Sequence, residues 1–188
     1  MTDRAAIFLD RDGTLIEDTG TLGDPAQVCL FSDTVSALRA LQDRFVFFVV
    51  TNQSCVARGE ISMDDVLRVN AHLAALLEND GIYIERWYIC PHERADDCDC
   101  IKPNATFLTQ AAREFGIDLA RSFVIGDHPH DALTGAEEGV RGVYVLTGHG
   151  ARHLEQLPSG IPVCEGIADA AKWILANTSA LCPPFDQI

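Results

Sequence analysis

Two carboxylates two residues apart, Asp10 and Asp12, stand directly after the apolar run Ala5–Leu9 and directly before Gly13-Thr14. If the chain turns so that both face one crevice, such a pair supplies a nucleophile and a general acid/base. Alone, Asp-Gly is as readily a plain turn. Other residues complete a phosphoryl-transfer set. Thr51 and Asn52 follow the apolar run Phe45–Val50 and offer a hydroxyl and a backbone N–H to phosphate oxygens. Asp127, after Gly126, adds a carboxylate that with Asp10 makes a hard oxygen site suited to Mg²⁺. Asp131, four residues on, is placed either to cap a helix or to touch the metal. Lys102 supplies a cation able to hold a phosphoryl group, although a lone Lys before Pro is otherwise a solvated side chain.

A second cluster reads C-x-H-x5-C-x-C: Cys90, His92, Cys98 and Cys100. Three thiolates and one imidazole match a closed, tetrahedral, structural Zn²⁺ site, which leaves no position open for catalysis. Such a staple orders a loop, because metal binding also stabilises the fold. The competing reading is unpaired thiols beside a surface His. Cys29, Cys55, Cys164 and Cys182 are scattered and read as free buried thiols.

The elements that must position these groups alternate regularly. Apolar runs at Ala5–Leu9, Phe45–Val50, Ile82–Ile89, Ser122–Ile125, Val143–Leu146 and Ile161–Val163 read as strands. Helical spacing covers Thr34–Gln42 (capped by Ser32 or Asp33), a stretch opened by the capping box Ser62–Asp65 and running to Asn79, Asn104–Phe115, Asp131–Glu138 ending at Gly139, and Ile167–Asn177. Continuous apolar strands between helices predict an α/β fold: a doubly wound, Rossmann-like, mostly parallel sheet with helices on both faces. In such a sheet ligands bind beyond the carboxyl ends of the strands, where Asp10, Thr51 and Asp127 lie. The expected organisation is one domain over residues 1–178 with the metal-binding loop at 90–100, and a loose tail over 179–188.

The chain has 188 residues and a formal net charge of −14, which argues against nucleic acid and against an anionic membrane surface as partners. The first apolar run is too short for a signal segment, and no run approaches the ~18 residues of a membrane span. A cytoplasmic monomer acting on a small phosphorylated metabolite is expected.

Four stretches occur in the order of the four motifs of the haloacid dehalogenase superfamily of phosphatases: FLDRDGTL (Phe8–Leu15), VVTNQS (Val49–Ser54), Lys102-Pro103 and VIGD (Val124–Asp127). The resemblance implies that Asp10 attacks phosphorus, and that Asp12 first protonates the leaving alcohol and then activates water. It also implies that Thr51, the Asn52 backbone and Lys102 hold the phosphoryl oxygens, and that Mg²⁺ is bound by Asp10, the Asp12 carbonyl and Asp127. The Cys-His loop before Lys102-Pro103 is similar to one shared by two branches, the D-glycero-D-manno-heptose-1,7-bisphosphate 7-phosphatases and the histidinol-phosphate phosphatases. TNQS…ARG (Thr51–Gly59) and the lone-domain length resemble the first, and the short spacing within the loop the second. Ile101 and His128 stand where both branches usually carry cations, and Cys55 where they carry Gly, so Arg58 or the histidines His128 and His130 become candidates for compensating contacts. With only a helix and a strand between the first two motifs, a large cap domain has no room. The expected activity is Mg²⁺-dependent hydrolysis of a phosphomonoester, first a sugar phosphate such as the heptose bisphosphate, then histidinol phosphate. Phosphotransfer to another acceptor and a non-catalytic phosphate-binding module rank below these.

Overall fold

A computed structural model describes residues 4–178. Six strands form one sheet in the order β3-β2-β1-β4-β5-β6. They are β1 Ala6–Leu9, β2 Val46–Asn52, β3 Ile84–Cys90, β4 Phe123–Gly126, β5 Arg141–Val145 and β6 Val163–Cys164. Every pairing is parallel. The central strands bury both faces, and residue parity divides them between two cores. Ile7, Leu9, Phe47 and Val49 pack on one side, against α1 (Thr34–Leu41), α2 (Met63–Asn79) and α6 (Ile167–Thr178). Ala6, Phe8, Val46, Phe48 and Val50 pack on the other, against α3 (Thr106–Phe115). Burial on both faces is why these strands read as unbroken apolar runs.

Strand order reverses direction at β1, which lies between β2 and β4. Loops leaving β1 and β4 therefore part to opposite sides and open a crevice at their carboxyl ends. Asp10 sits there, its N–H donating to Ile125 O at 2.9 Å. A loop over residues 17–29 is closed at its base by Glu17 N–H to Cys29 O (2.8 Å) and Phe31 N–H to Leu15 O (3.3 Å). It is pinned at its tip by Thr21 Oγ1–H to Glu60 Oε2 (2.6 Å) and forms one wall of the crevice. Among the described residues no inserted domain separates the strands, and no helix is long and apolar enough to cross a membrane.

Several local expectations are corrected. The helix expected over Asp131–Glu138 is α4, Pro129–Leu133: Thr134 is already extended, Gly135 turns at φ +77°, and the chain reaches Gly139 as turns. Asp33 takes the N-cap position of α1, but its carboxylate accepts no bond from that helix. It faces Ala168 N–H of α6 instead, at 3.3 Å, tying two distant helices. The last strand is Val163–Cys164, not Ile161–Val163. Cys29 is exposed, whereas Cys55 and Cys164 are buried as expected; Cys182 and the 179–188 tail lie outside the described residues. Ser62 forms the predicted capping box with Asp65.

Candidate active site

Asp10 leaves β1 with its carboxylate directed at Lys102, whose Nζ lies 2.5 Å from Asp10 Oδ1, 2.7 Å from Asp131 Oδ1 and 2.9 Å from Val50 O. The ammonium has three protons and meets three acceptors, so it is fully satisfied although buried. Burial alone would lower its pKa, but Asp10 and Asp131 hold it above its ordinary range. The loop that carries Lys102 is anchored by the Asn52 side chain, whose Oδ1 accepts the Lys102 N–H at 3.2 Å.

Asp131 closes the capping box of α4 and also pairs with Lys102. Its Oδ2 accepts His128 N–H at 2.9 Å, capping α4, while Oδ1 reaches Lys102. Asp131 also joins Asp10 and Asp127 in a group in which one carboxylate oxygen of each lies within 4.8 Å of the other two. That approach depends on Gly126, where an added Cβ would sit 2.2 Å from Asp131 Cβ. Asp127 is crowded the same way: a Cβ on Gly13 would lie 2.2 Å from Asp127 Oδ2. Burial raises the Asp127 pKa to about 7, the His149 N–H at 2.6 Å opposes it, and the Asp131 charge reinforces it. Burial pushes the Asp10 carboxyl well above the usual range, Lys102 pulls it back, and Asp131, Asp127 and Asp12 push it further. One ammonium cannot neutralise three buried carboxylates. The donor set is hard, anionic and oxygen-only, which fits a small divalent cation.

Asp12 is aimed by residues that spacing did not single out. Arg11, with no exposed surface, donates Nε–H to Asp12 Oδ2 (3.0 Å) and Nη2–H to Oδ1 (3.1 Å), and its Nη1 donates to Asn70 Oδ1 at 2.8 Å. Gln53 Nε2 donates to Asp12 Oδ2 and to Thr51 Oγ1, both at 2.8 Å. Arg11 and Gln53 lie inside the quoted motifs, but nothing in their type shows which way the side chains turn.

These groups open onto a cavity of about 720 Å³, walled also by Asp18, Thr21, Arg58, Glu93, Arg94, Ile101, His128, His130 and His149. Arg58 reaches this wall with its guanidinium engaged by Glu60 (2.6 Å), Glu93 (3.4 Å) and Ser54 (2.8 Å). His128 and His130 stack with ring centroids 4.6 Å apart. Burial, followed by the His130 charge, lowers the His128 pKa to about 4, so it adds no charge near neutral pH.

The loop cluster is brought together as predicted. Cys90 Sγ lies 3.7 Å from Cys98 Sγ and 3.3 Å from Cys100 Sγ, and Cys98 lies 3.6 Å from Cys100. His92 Nδ1 is 3.8 Å from Cys90 Sγ and 3.3 Å from Cys100 Sγ. A tetrahedron with metal–sulfur arms of ~2.3 Å has edges of ~3.8 Å, so the four atoms are spaced for a metal centre. Burial pushes the Cys90 and Cys100 thiols upward, and a bound cation would supply the charge that draws off their protons.

The chain is 36% identical over 179 residues to a D-glycero-beta-D-manno-heptose-1,7-bisphosphate 7-phosphatase of Pasteurella multocida, covering 91% of this chain and 97% of that protein. It belongs to the haloacid dehalogenase superfamily of phosphatases. The HAD-hydrolase-like family model matches residues 99–170. A superfamily phosphatase of the same name from Yersinia pestis is 31% identical, with 94% of this chain and 92% of that protein aligned. Among solved structures, D,D-heptose 1,7-bisphosphate phosphatase from B. bronchiseptica, complexed with magnesium and phosphate, superposes with a TM-score of 0.84 at 30% identity, covering 92% of this chain and 99% of that one. The superfamily fold thus extends over nearly the whole chain.

Proposed function

We propose that this phosphatase hydrolyses a small sugar phosphate through an aspartyl-phosphate on Asp10, with D-glycero-D-manno-heptose 1,7-bisphosphate as the first candidate. The observation that carries the mechanism is the placement of Asp10 against buried Lys102, with Asp12 on the same cavity wall. Asp10 attacks phosphorus and the ester P–O bond breaks, the departing oxygen taking the proton of the Asp12 carboxyl. Asp12, now a carboxylate, takes a proton from water, whose oxygen attacks phosphorus and breaks the bond to Asp10, releasing inorganic phosphate. Arg11 and Gln53 hold Asp12 in line for both transfers, and Gln53 orients the Thr51 hydroxyl towards the phosphoryl oxygens. Lys102 offsets charge on those oxygens and on Asp10, and the Asn52 backbone adds a donor. Arg58 remains a contact for the outer part of the substrate. Mg²⁺, held by Asp10, the Asp12 carbonyl and Asp127, would neutralise phosphoryl charge as the nucleophile approaches. Cys90, His92, Cys98 and Cys100 would hold a structural Zn²⁺. One domain over 1–178, a monomeric state and a cytoplasmic location complete the proposal. Support for the last comes from a thiol-rich site that needs reduced cysteines.

The choice of a heptose bisphosphate rests on what the named relatives act on. The short metal-binding loop favours histidinol phosphate as a second reading. Phosphate release from the heptose bisphosphate, histidinol phosphate and common sugar phosphates, each with Mg²⁺, separates them. A clear advantage for histidinol phosphate would overturn the first substrate. Asp10→Asn is expected to reduce turnover by ~10³-fold or more and to abolish phosphoenzyme trapping; retained activity would sink the nucleophile assignment.

A further inference from the structure

Cys55 departs from the pattern of both related branches and takes no part in the proposed hydrolysis, yet it is buried at the wall of the cavity. It stands in the loop after β2, whose backbone is closed on either side of it. Val56 N–H donates to Gln53 O at 3.1 Å, Glu60 N–H to Cys55 O at 3.0 Å, and Ala57 N–H to Pro91 O at 3.2 Å. The side chain turns back along this loop, and its S–H donates to Gln53 Oε1 with the sulfur 3.6 Å away. Burial raises the thiol pKa and the Arg58 charge opposes without cancelling the rise, so the sulfur keeps the proton it donates.

Gln53 is itself buried. Its two Nε2 protons are both engaged, by Asp12 Oδ2 and Thr51 Oγ1 at 2.8 Å each. Among the described residues Cys55 is the one donor to its oxygen. A glutamine amide has nearly the same shape when turned by half a rotation, so its partners decide which end points where. Turned over, it would set Oε1 against the Asp12 carboxylate and lose both donated bonds. The thiol opposes that state, because its proton needs an oxygen on its side. The donors therefore run one way: S–H to Oε1, then Nε2–H to Asp12 and to the Thr51 hydroxyl, whose own proton is left for a phosphoryl oxygen. A thiol that only filled space would be replaced equally well by alanine or serine.

We propose that Cys55 is a positioning residue for phosphoryl transfer, its S–H fixing the Gln53 amide in the orientation that donates to both Asp12 and Thr51. The assignment rests on the proposed roles of Asp12 and Thr51. Because Cys55 acts through Gln53 and not on the substrate, its loss should lower rate more than affinity.

The test measures phosphate release with Mg²⁺ from whichever of the sugar phosphates or histidinol phosphate is hydrolysed fastest. Cys55→Ala is expected to lower kcat about fivefold with KM within about twofold, the effect of leaving one buried acceptor unpaired. Cys55→Ser keeps a donor in nearly the same place and should recover most of the rate. In a Gln53→Ala background, Cys55→Ala should change nothing further, since the group it acts on is gone. The side-chain amide resonances of Gln53, read by nuclear magnetic resonance without substrate, should move in Cys55→Ala and return towards wild type in Cys55→Ser. An unchanged kcat in Cys55→Ala, equal rates for the alanine and serine variants, or a full Cys55→Ala effect without Gln53 would overturn the proposal. Asp12→Asn probes the underlying reading by itself. Wild-type turnover there would refute the acid/base role, and the resonances would still decide whether Cys55 holds the amide. An inactive Asp12→Asn beside an indifferent Cys55→Ala would refute the positioning role alone.

Discussion

Gln53 shares its amide between Asp12 and Thr51, and so couples the proposed acid/base to the proposed phosphate-binding hydroxyl through one side chain. Gln53→Ala should lower kcat by about tenfold with KM little changed, because the group aims Asp12 rather than binding substrate; steady-state kinetics showing only a KM effect would contradict this. Arg11 is a harder case. It is fully buried and pairs with both oxygens of Asp12 and with Asn70, so Arg11→Leu strands two polar partners. A loss of about 3 kcal/mol in denaturant-measured stability is expected, together with reduced turnover. Gly126→Ala should act on Lys102 at second hand, since the added methyl would displace Asp131 from the lysine. Lower turnover should then accompany lower stability.

At the scale of elements, the loop between β3 and α3 has little structure of its own beyond the 3-10 turn Arg94–Asp96. Cys90, His92, Cys98 and Cys100 are spaced for a tetrahedral metal, and the proposed Zn²⁺ would order the loop. Stripping metal with a chelator and restoring only Mg²⁺ should therefore lower Tm by several degrees and raise amide exchange within residues 90–100. Unchanged exchange in that loop would remove the structural role. The short α4 has a related lesson. Its periodicity suggested a longer helix, but the chain must turn at Gly135 to enter β5, and sheet geometry overrode the local preference.

For the whole molecule, the buried acidic cluster makes stability depend on pH and on cation. The Asp127 pKa is raised to about 7 from an unfolded value of 3.8, so the folded chain binds this proton more tightly than the unfolded one. The associated stability is fully present below pH 3.8 and is lost as pH rises through about 7. In metal-free protein, this contribution to thermal stability should fall between about pH 4 and 7, and added Mg²⁺ should flatten the decline; ~0.1 pH-unit buffers and differential scanning calorimetry suffice to read it.

Much of this architecture was legible before any coordinates. Unbroken apolar strands at Ala5–Leu9 and Phe45–Val50, alternating with helical spacing, determined a parallel sheet, and the polar residues after each strand determined where the site must lie. The spacing of Cys90, His92, Cys98 and Cys100 likewise announced a cluster, because their proximity is written in the chain itself and the fold brings all four together. What only the tertiary structure decided concerns direction and partnership. Asp33 leaves its own helix for Ala168, Asp131 serves both a cap and Lys102, and Arg11 turns inward to Asp12 and Asn70. Arg58 is engaged by Glu60 and Glu93. A residue's type sets which bonds it can make, but the groups within reach come from segments tens of residues away, and only the packed sheet brings them together.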